Sequence, residues 1–431
     1  MIYTIMTNNA LCPFCIKAKE LLSSKGLKYE YKVVSIELLK EKFPNAITVP
    51  QIVKHGELDV YIGGYDDLYA SLTPRTVFNE HNKGHVTGDY PLFFGEGLGF
   101  VDTINTPYPV LDKLYQQQVS QIWNEFEIDL TQDRQDMLTV SPKIVDIVVL
   151  NLLWQTLIDS VANRSITSLL LEFVSNSDLE AWYNVAAFFE TIHARTYIHI
   201  IKQTFTEPSE ALEAGYANPQ ILSRAKTIID AFNAVAALPD SASLAEKKDA
   251  VYLAVFALCM LENVNFNSSF AVTFGVAETG VFQGISQDVT LICRDELLHG
   301  KAGRNILDII SKTDPHFSTM TDKLQNMFDK IMAEELSWNA YLFSEGRQYL
   351  GGNERLLNEY VAYLAAPIAA QFNLRPVQAP DRLPLAYMAD YMDSSRVQVA
   401  AQEMQLTSYL VNAVSVSTQA EILALLEGYK Y

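Results

Sequence analysis

Two short stretches of this chain, Phe188-Phe189-Glu190-Thr191-Ile192-His193 and Arg294-Asp295-Glu296-Leu297-Leu298-His299, repeat one pattern: glutamate and histidine three residues apart within long apolar helical periods. Residues three apart share one face of a helix. One such pair alone is commonly a surface feature. Two of them in apolar helices must both face something that compensates a buried carboxylate. Two further lone acids stand in equally apolar sequence. Asp159 ends Leu153-Trp154-Gln155-Thr156-Leu157-Ile158-Asp159, and Glu262 ends Ala257-Leu258-Cys259-Met260-Leu261-Glu262. Either acid would be costly to bury unpaired, and a metal ion resolves that cost. Asp159, Glu190, His193, Glu262, Glu296 and His299 are therefore the candidate ligands, a set suited to two iron or manganese ions.

A Glu-x-x-His motif from each of two helices, plus one carboxylate from each of two others, is the ligand pattern of ferritin-like di-metal bundles. The surrounding sequence agrees. Val110–Glu125, Ser141–Val161, Ser177–Thr204, Pro219–Ala237, Leu244–Phe274, Phe282–Thr313 and Thr319–Glu345 carry apolar residues at three- and four-residue intervals, and strand signals are scarce. The expected architecture there is an all-α helical bundle of roughly 300 residues, an ordinary size for one large domain. The last thirty or so residues lose this density and read as a tail.

The N-terminal segment is different. Ile2–Met6 and Tyr29–Val34 read as strands, Ile52–Leu58 as a strand and turn, and Ile16–Lys25, Leu38–Phe43 and Tyr65–Leu72 as helices. Such alternation in a small unit predicts a compact α/β domain. Thr73–Gly99 is rich in proline and glycine without a clean period and reads as linker and entry loop. The boundaries expected are 1–72 for the small domain, 73–100 for the linker, 101–400 for the bundle and 401–431 for the tail.

Cys12-Pro13-Phe14-Cys15 opens the first helix. A thiolate at a helix entrance is stabilised by the amide groups and the macrodipole, so Cys12 is the expected nucleophile. Cys15, one turn on, can resolve a mixed disulfide. A zinc half-site needs a second ligand pair nearby, and none follows in this segment.

Composition excludes several classes. A formal net charge of -19 is unsuited to phosphate-driven nucleic-acid binding. The most apolar stretch, Ile144–Ile158, is broken by Asp146, Asn151 and Gln155 and is too short to span a bilayer. The four cysteines, Cys12, Cys15, Cys259 and Cys293, form one redox pair and two lone thiols. That is no disulfide framework, and a cytoplasmic protein is the simplest expectation.

The small domain resembles the glutaredoxins. The resemblance rests on Cys12-Pro13-Phe14-Cys15, on Thr48-Val49-Pro50-Gln51 and on Gly63-Gly64-Tyr65-Asp66-Asp67, with Phe14 where tyrosine is more usual. It implies a cis-proline at Pro50 facing the cysteines. It further implies that Val49 offers its backbone to glutathione and that Gly64, Asp66 and Asp67 hold the γ-glutamyl end.

From about Pro91 onward the chain resembles the small subunit of aerobic ribonucleotide reductases. The carrying segments are Pro91-Leu92-Phe93-Phe94-Gly95, Glu127-Ile128-Asp129-Leu130, Leu157-Ile158-Asp159-Ser160, Glu190 to Tyr197, Arg294 to His299 and Thr407-Ser408-Tyr409-Leu410-Val411. This likeness implies the same six metal ligands. It implies that Tyr197 carries a radical in an apolar pocket of Phe266, Phe270 and Ile292. Trp123 and Asp295 would move the radical equivalent toward the surface, and Tyr409, assisted by Glu403, would pass it to a large subunit. Ala186 stands where some relatives carry tryptophan near the metals. A homodimer, glutathione as reductant and a large-subunit partner are further implications.

Iron against manganese stays open at this stage. So do a ferritin-like oxidase or iron-handling protein with a fused glutaredoxin, and a di-iron monooxygenase. Tyr197 and Tyr409 speak against the first, and aspartate at position 159 against the second.

Overall fold

The computed structural model describes residues 2–393 except 45, 47, 57, 58, 73–77, 80, 81, 83, 89, 98 and 240. Tyr409, Glu403 and the rest of the 401–431 segment lie outside the described residues.

The N-terminal unit runs β1 (Ile2–Thr7), α1 (Pro13–Ser24), β2 (Lys28–Val33), α2 (Ile36–Lys42), β3 (Gln51–His55), β4 (Val60–Gly63) and α3 (Tyr65–Leu72). The sheet order is β2-β1-β3-β4, with β1 parallel to β2 and β3 antiparallel to both its neighbours. Tyr3, Ile5, Ala18, Leu22, Ile52 and Leu68 form its own core. The edge strand β4 does not emerge from the sequence, because it is short and its Val60 and Tyr61 are exposed.

The larger unit is helical: α4 (Gly84–Thr87), α5 (Pro109–Val119), α6 (Thr131–Thr139), α7 (Pro142–Ser165), α8 (Ser177–Thr204), α9 (Pro208–Ala217), α10 (Pro219–Ala236), α11 (Leu244–Met260), α12 (Phe266–Ala277), α13 (Gln283–Thr313), α14 (Thr321–Leu342), α15 (Glu354–Gln371) and α16 (Met388–Tyr391). Local chemistry sets many of the starts. Asn176 caps α8 through the amides of Asp178 and Leu179, and Ser243 and Glu246 form a capping box on α11. One continuous core runs through this unit and includes Leu92 and Phe93, upstream of the first long helix.

Two departures from the helical periods bear on function. The period expected through Leu244–Phe274 is interrupted by a π-helical turn, Leu261–Asn265, which contains Glu262. Such turns insert a residue and re-aim a side chain. The helix expected to reach Glu125 ends at Val119. The chain then turns so that the Trp123 indole meets α13, and the Gln121 carbonyl accepts a hydrogen bond from the Arg294 guanidinium at 2.7 Å.

Pro142–Phe173 and Leu244–Ala277 have the length and apolarity of membrane spans, but 56% and 83% of their most apolar windows are buried inside the bundle. They carry Asp159 and Glu262, whose side chains belong to the acidic cluster described next.

Candidate functional site

Four helical segments deliver the expected ligands to one place. Asp159 comes from α7, Glu190 and His193 from α8, Glu262 from the π-helical turn, and Glu296 and His299 from α13. All six are buried. Their donor atoms form two groups, Asp159-Glu190-His193-Glu296 and Glu190-Glu262-Glu296-His299, in each of which all lie within 4.8 Å of one another. Glu190 and Glu296 belong to both groups, so the two groups share two carboxylates.

The close contacts confirm the convergence. His193 Nδ1 lies 2.9 Å from Glu296 Oε1, and His299 Nδ1 lies 2.9 Å from both Glu190 Oε1 and Glu296 Oε2. Yet both oxygens of Asp159 and of Glu190, with Glu262 Oε2, Glu296 Oε1 and His193 Nδ1, have no aligned hydrogen-bond partner. Buried polar atoms in a native core are almost always paired. Unpaired donors gathered this closely are what a pair of cations requires, and carboxylate and imidazole donors suit iron or manganese.

The electrostatics agree. Burial pushes the Asp159 carboxyl well above its ordinary range, and Glu190 and Glu296 push it further. Burial, then Glu296, does the same to Glu262. Burial works against charge on the two imidazoles, but Glu296 and the other neighbouring carboxylates outweigh it, raising His193 to about 9 and His299 to about 10. Burial also opposes charge on Glu296, but the two histidines and Glu262 hold its carboxyl below the usual range. So many acids buried together are costly unless positive charge compensates them.

Around the cluster, Asp295 Oδ2 accepts from Trp123 Nε1 at 2.7 Å and lies 3.2 Å from His193 Nε2. The Trp123 and His193 rings stack with centroids 6.0 Å apart. The other carboxylate oxygen accepts from the Gln118 amide at 3.1 Å. Sequence reasoning missed Gln118. Its signal was a polar residue in register with Leu111 and Leu114 on the buried face of α5.

Tyr197 is fully buried one turn beyond His193, and its hydroxyl has no hydrogen-bond partner. Burial, then the charges of Asp159, Glu296 and Glu190, holds its phenol far above the usual tyrosine range. Phe266, Phe270 and Ile292 are likewise buried, the two phenyl rings stacked at 5.8 Å.

In the small unit Cys12 caps α1. Its sulfur accepts from the Cys15 amide at 3.3 Å and lies 3.6 Å from the Val49 carbonyl. The Val49–Pro50 peptide is cis. Burial, then the neighbouring Cys12, pushes the Cys15 thiol up to about 11, which disfavours its thiolate. The Gly64 amide donates to Asp67 Oδ2 at 2.7 Å, and Asp66 is part of α3. The other Asp67 oxygen accepts from the Leu244 amide at 2.6 Å, at the start of α11 in the bundle.

Comparison with known proteins places both units. Residues 101–379 match the family model for the ribonucleotide reductase small chain, and residues 1–58 match that for glutaredoxin. The β subunit of ribonucleoside-diphosphate reductase from Haemophilus influenzae is 31% identical over 365 residues, covering 79% of this chain and 96% of the relative. The fold is that of the ribonucleotide reductase R2 subunit from Clostridium botulinum, with a TM-score of 0.66 at 18% identity over 74% of this chain and 98% of the other. It is also that of dimanganese(II)-NrdF from Streptococcus sanguinis, with a TM-score of 0.52 at 18% identity over 65% of this chain and 93% of the other. The chain thus belongs to the ribonucleotide reductase small chain family and carries a glutaredoxin domain at its N-terminal end.

Proposed function

We propose that this ribonucleoside-diphosphate reductase small subunit stores its oxidising equivalent on Tyr197, next to two iron ions held by Asp159, Glu190, His193, Glu262, Glu296 and His299. The observation that carries the reading is the buried cluster of six donor residues, whose two groups share Glu190 and Glu296, with a buried, unpartnered phenol one helical turn beyond His193. The family binds a dinuclear metal centre, and the donor set suits iron or manganese. When bound, such a centre supplies a one-electron oxidant strong enough for a phenol.

The chain's own residues do the rest. Oxidation of Tyr197 removes one electron and the Oη proton. The full burial of Tyr197, and that of Phe266, Phe270 and Ile292, supports an apolar pocket that keeps reductants and water from the product. Asp295 orients His193 through Nε2 and holds the Trp123 indole, so that Trp123 is the exit for the radical equivalent. From there Tyr409, assisted by Glu403, passes it to a cysteine of the large subunit, where a ribonucleotide loses its 2′-hydroxyl.

Each turnover leaves a disulfide in the large subunit. Cys12 attacks it, Cys15 resolves the mixed disulfide, and glutathione restores the dithiol. Val49, Pro50, Gly64, Asp66 and Asp67 form the glutathione site. Tethering gives the glutaredoxin a high effective concentration at its target. The exposed apolar side chains Phe126, Phe188 and Ile198 support a homodimer contact on the α8 face. The free, buried thiols Cys259 and Cys293 support a reducing, cytoplasmic setting.

The test is nucleotide reduction with a purified large subunit and glutathione as the sole reductant. Turnover must require both chains, stop in Tyr197→Phe, and fall in Cys12→Ser unless dithiothreitol is supplied. Equal turnover in the Tyr197→Phe protein refutes the assignment.

A further inference from the structure

Beside the second of the two metal-ligand groups lies an internal cavity of about 20 Å³, room for about one water-sized molecule. Glu190, Glu262 and His299 line it, whereas Asp159, His193 and Tyr197 do not. The rest of the wall is mostly hydrocarbon, from Ile166, Val255, Leu258 and Ile306. Beyond the cluster's own side chains the polar wall groups are few: the Tyr183 hydroxyl, the Trp182 indole and the Cys259 thiol. The Tyr183 hydroxyl itself has no hydrogen-bond partner.

Small residues create the space. Ala186 on α8 and Gly303 on α13 both border it. Of the lining residues Gly303 alone is half-buried and the others are buried, so the cavity comes nearest to solvent at Gly303. A Cβ on Gly303 would stand 3.3 Å from the Cβ of Cys259, narrowing the passage between α13 and α11. Glycine weakens the interior of a helix, and Gly303 lies well inside α13, so a packing requirement accounts for it better than helix formation does.

We propose that this cavity is the entry chamber through which dioxygen reaches the metal cluster, with Gly303 at its mouth and Ala186 in its wall. This rests on the proposed metal-dependent function. The chemistry of the wall selects the guest. A buried water takes two to four polar partners, and beyond the side chains committed to metal the one hydroxyl on this wall is that of Tyr183. An apolar diatomic loses no hydrogen bonds on entering. The chamber meets the cluster at Glu190, Glu262 and His299, and Tyr197 is outside its wall, so arriving gas does not pass the radical residue.

Xenon is the probe, since it binds apolar cavities and needs no metal. Crystals of the metal-free chain under xenon pressure should show one xenon against Ala186, Cys259 and Gly303. Ala186→Leu and Gly303→Val should each remove it. In the iron-loaded protein both variants should bind ferrous ion anaerobically as the parent does, while the second-order rate constant for oxidation by dioxygen falls about tenfold. If either variant fails to fold, Ala186→Val and Gly303→Ala make the same test with smaller side chains. No xenon at this place in the parent, or full oxidation rates in variants that exclude xenon, overturns the proposal. Loss of anaerobic ferrous binding in the parent itself would instead overturn the metal reading, and this proposal with it.

Discussion

Trp123 and His193 share one carboxylate oxygen: Asp295 Oδ2 accepts from the indole at 2.7 Å and lies 3.2 Å from the imidazole Nε2. The proposed ligand shell and the proposed exit residue are thereby joined by one side chain, and the two roles proposed for Asp295 can be separated. Groups that orient a metal-bound histidine typically contribute about 10–100-fold in metal affinity. Asp295→Ala should lower ferrous affinity by about that factor. Trp123→Phe should keep ferrous affinity and the tyrosyl radical, yet abolish nucleotide reduction. Anaerobic titration and a turnover assay check both. Equal ferrous affinity in Asp295→Ala would remove the orienting role.

Metal binding should stabilise the bundle strongly, because it replaces protons among buried acids. A ligand at a hundredfold its dissociation constant adds about 2.7 kcal/mol per site. Two equivalents of ferrous ion per chain should therefore raise the thermal midpoint by about 10 °C or more in anaerobic calorimetry. The gain should shrink as pH falls, since the carboxylates must lose their protons to bind metal. Glu190→Ala, which removes a bridge common to both sites, should eliminate most of it.

Asp288 is a buried acid outside the cluster, and neither of its oxygens has a hydrogen-bond partner. Burial, then the nearby Asp133 and Glu127, raises its carboxyl well above the ordinary carboxylate range. A folded-state pKa raised in this way means that the native chain binds the proton more tightly than the unfolded one. Its contribution is favourable below the unfolded value and is lost as pH rises through and above it. Asp288→Asn should therefore flatten the fall in stability with rising pH and add about 1–3 kcal/mol at pH 8. Denaturant unfolding at pH 5 and pH 8 measures this, and parallel curves for parent and variant would contradict it.

Asp67 is claimed twice. One oxygen accepts from Gly64 within the glutaredoxin domain and the other from the Leu244 amide of the bundle. If Asp67 also holds the γ-glutamyl end of glutathione, the bundle competes for it. Leu244 is the first residue of α11, where proline is tolerated and lacks only the N–H. Leu244→Pro should thus raise glutathione affinity about three- to tenfold, the net worth of one typical hydrogen bond. Unchanged affinity by calorimetry would show that the contact and the glutathione site are independent.

Much of the site could be read from the sequence because its chemistry is local. The spacing of Glu190 to His193 and of Glu296 to His299 already fixes a shared face, and Asp159 and Glu262 stand out as acids in apolar helices. What escaped depends on tertiary structure. The π-helical turn at Leu261–Asn265 keeps an apolar pattern that reads as unbroken helix. The polar helix α6 has little period of its own, since its buried Asp133 and Asp136 serve to cap α13 through the amides of Ile285, Gly284 and Phe282. Helix α15 contains Pro367, which hides it from pattern reading. Gln118 acquires meaning only when α5 packs on α13.

The most direct test of the account is an electron paramagnetic resonance spectrum after ferrous ion and dioxygen are added to the metal-free chain. The account predicts a tyrosyl signal in the parent, with no such signal in Tyr197→Phe although that variant binds and oxidises iron. Oxidation of iron without any radical in the parent, or the same signal surviving in Tyr197→Phe, would contradict it.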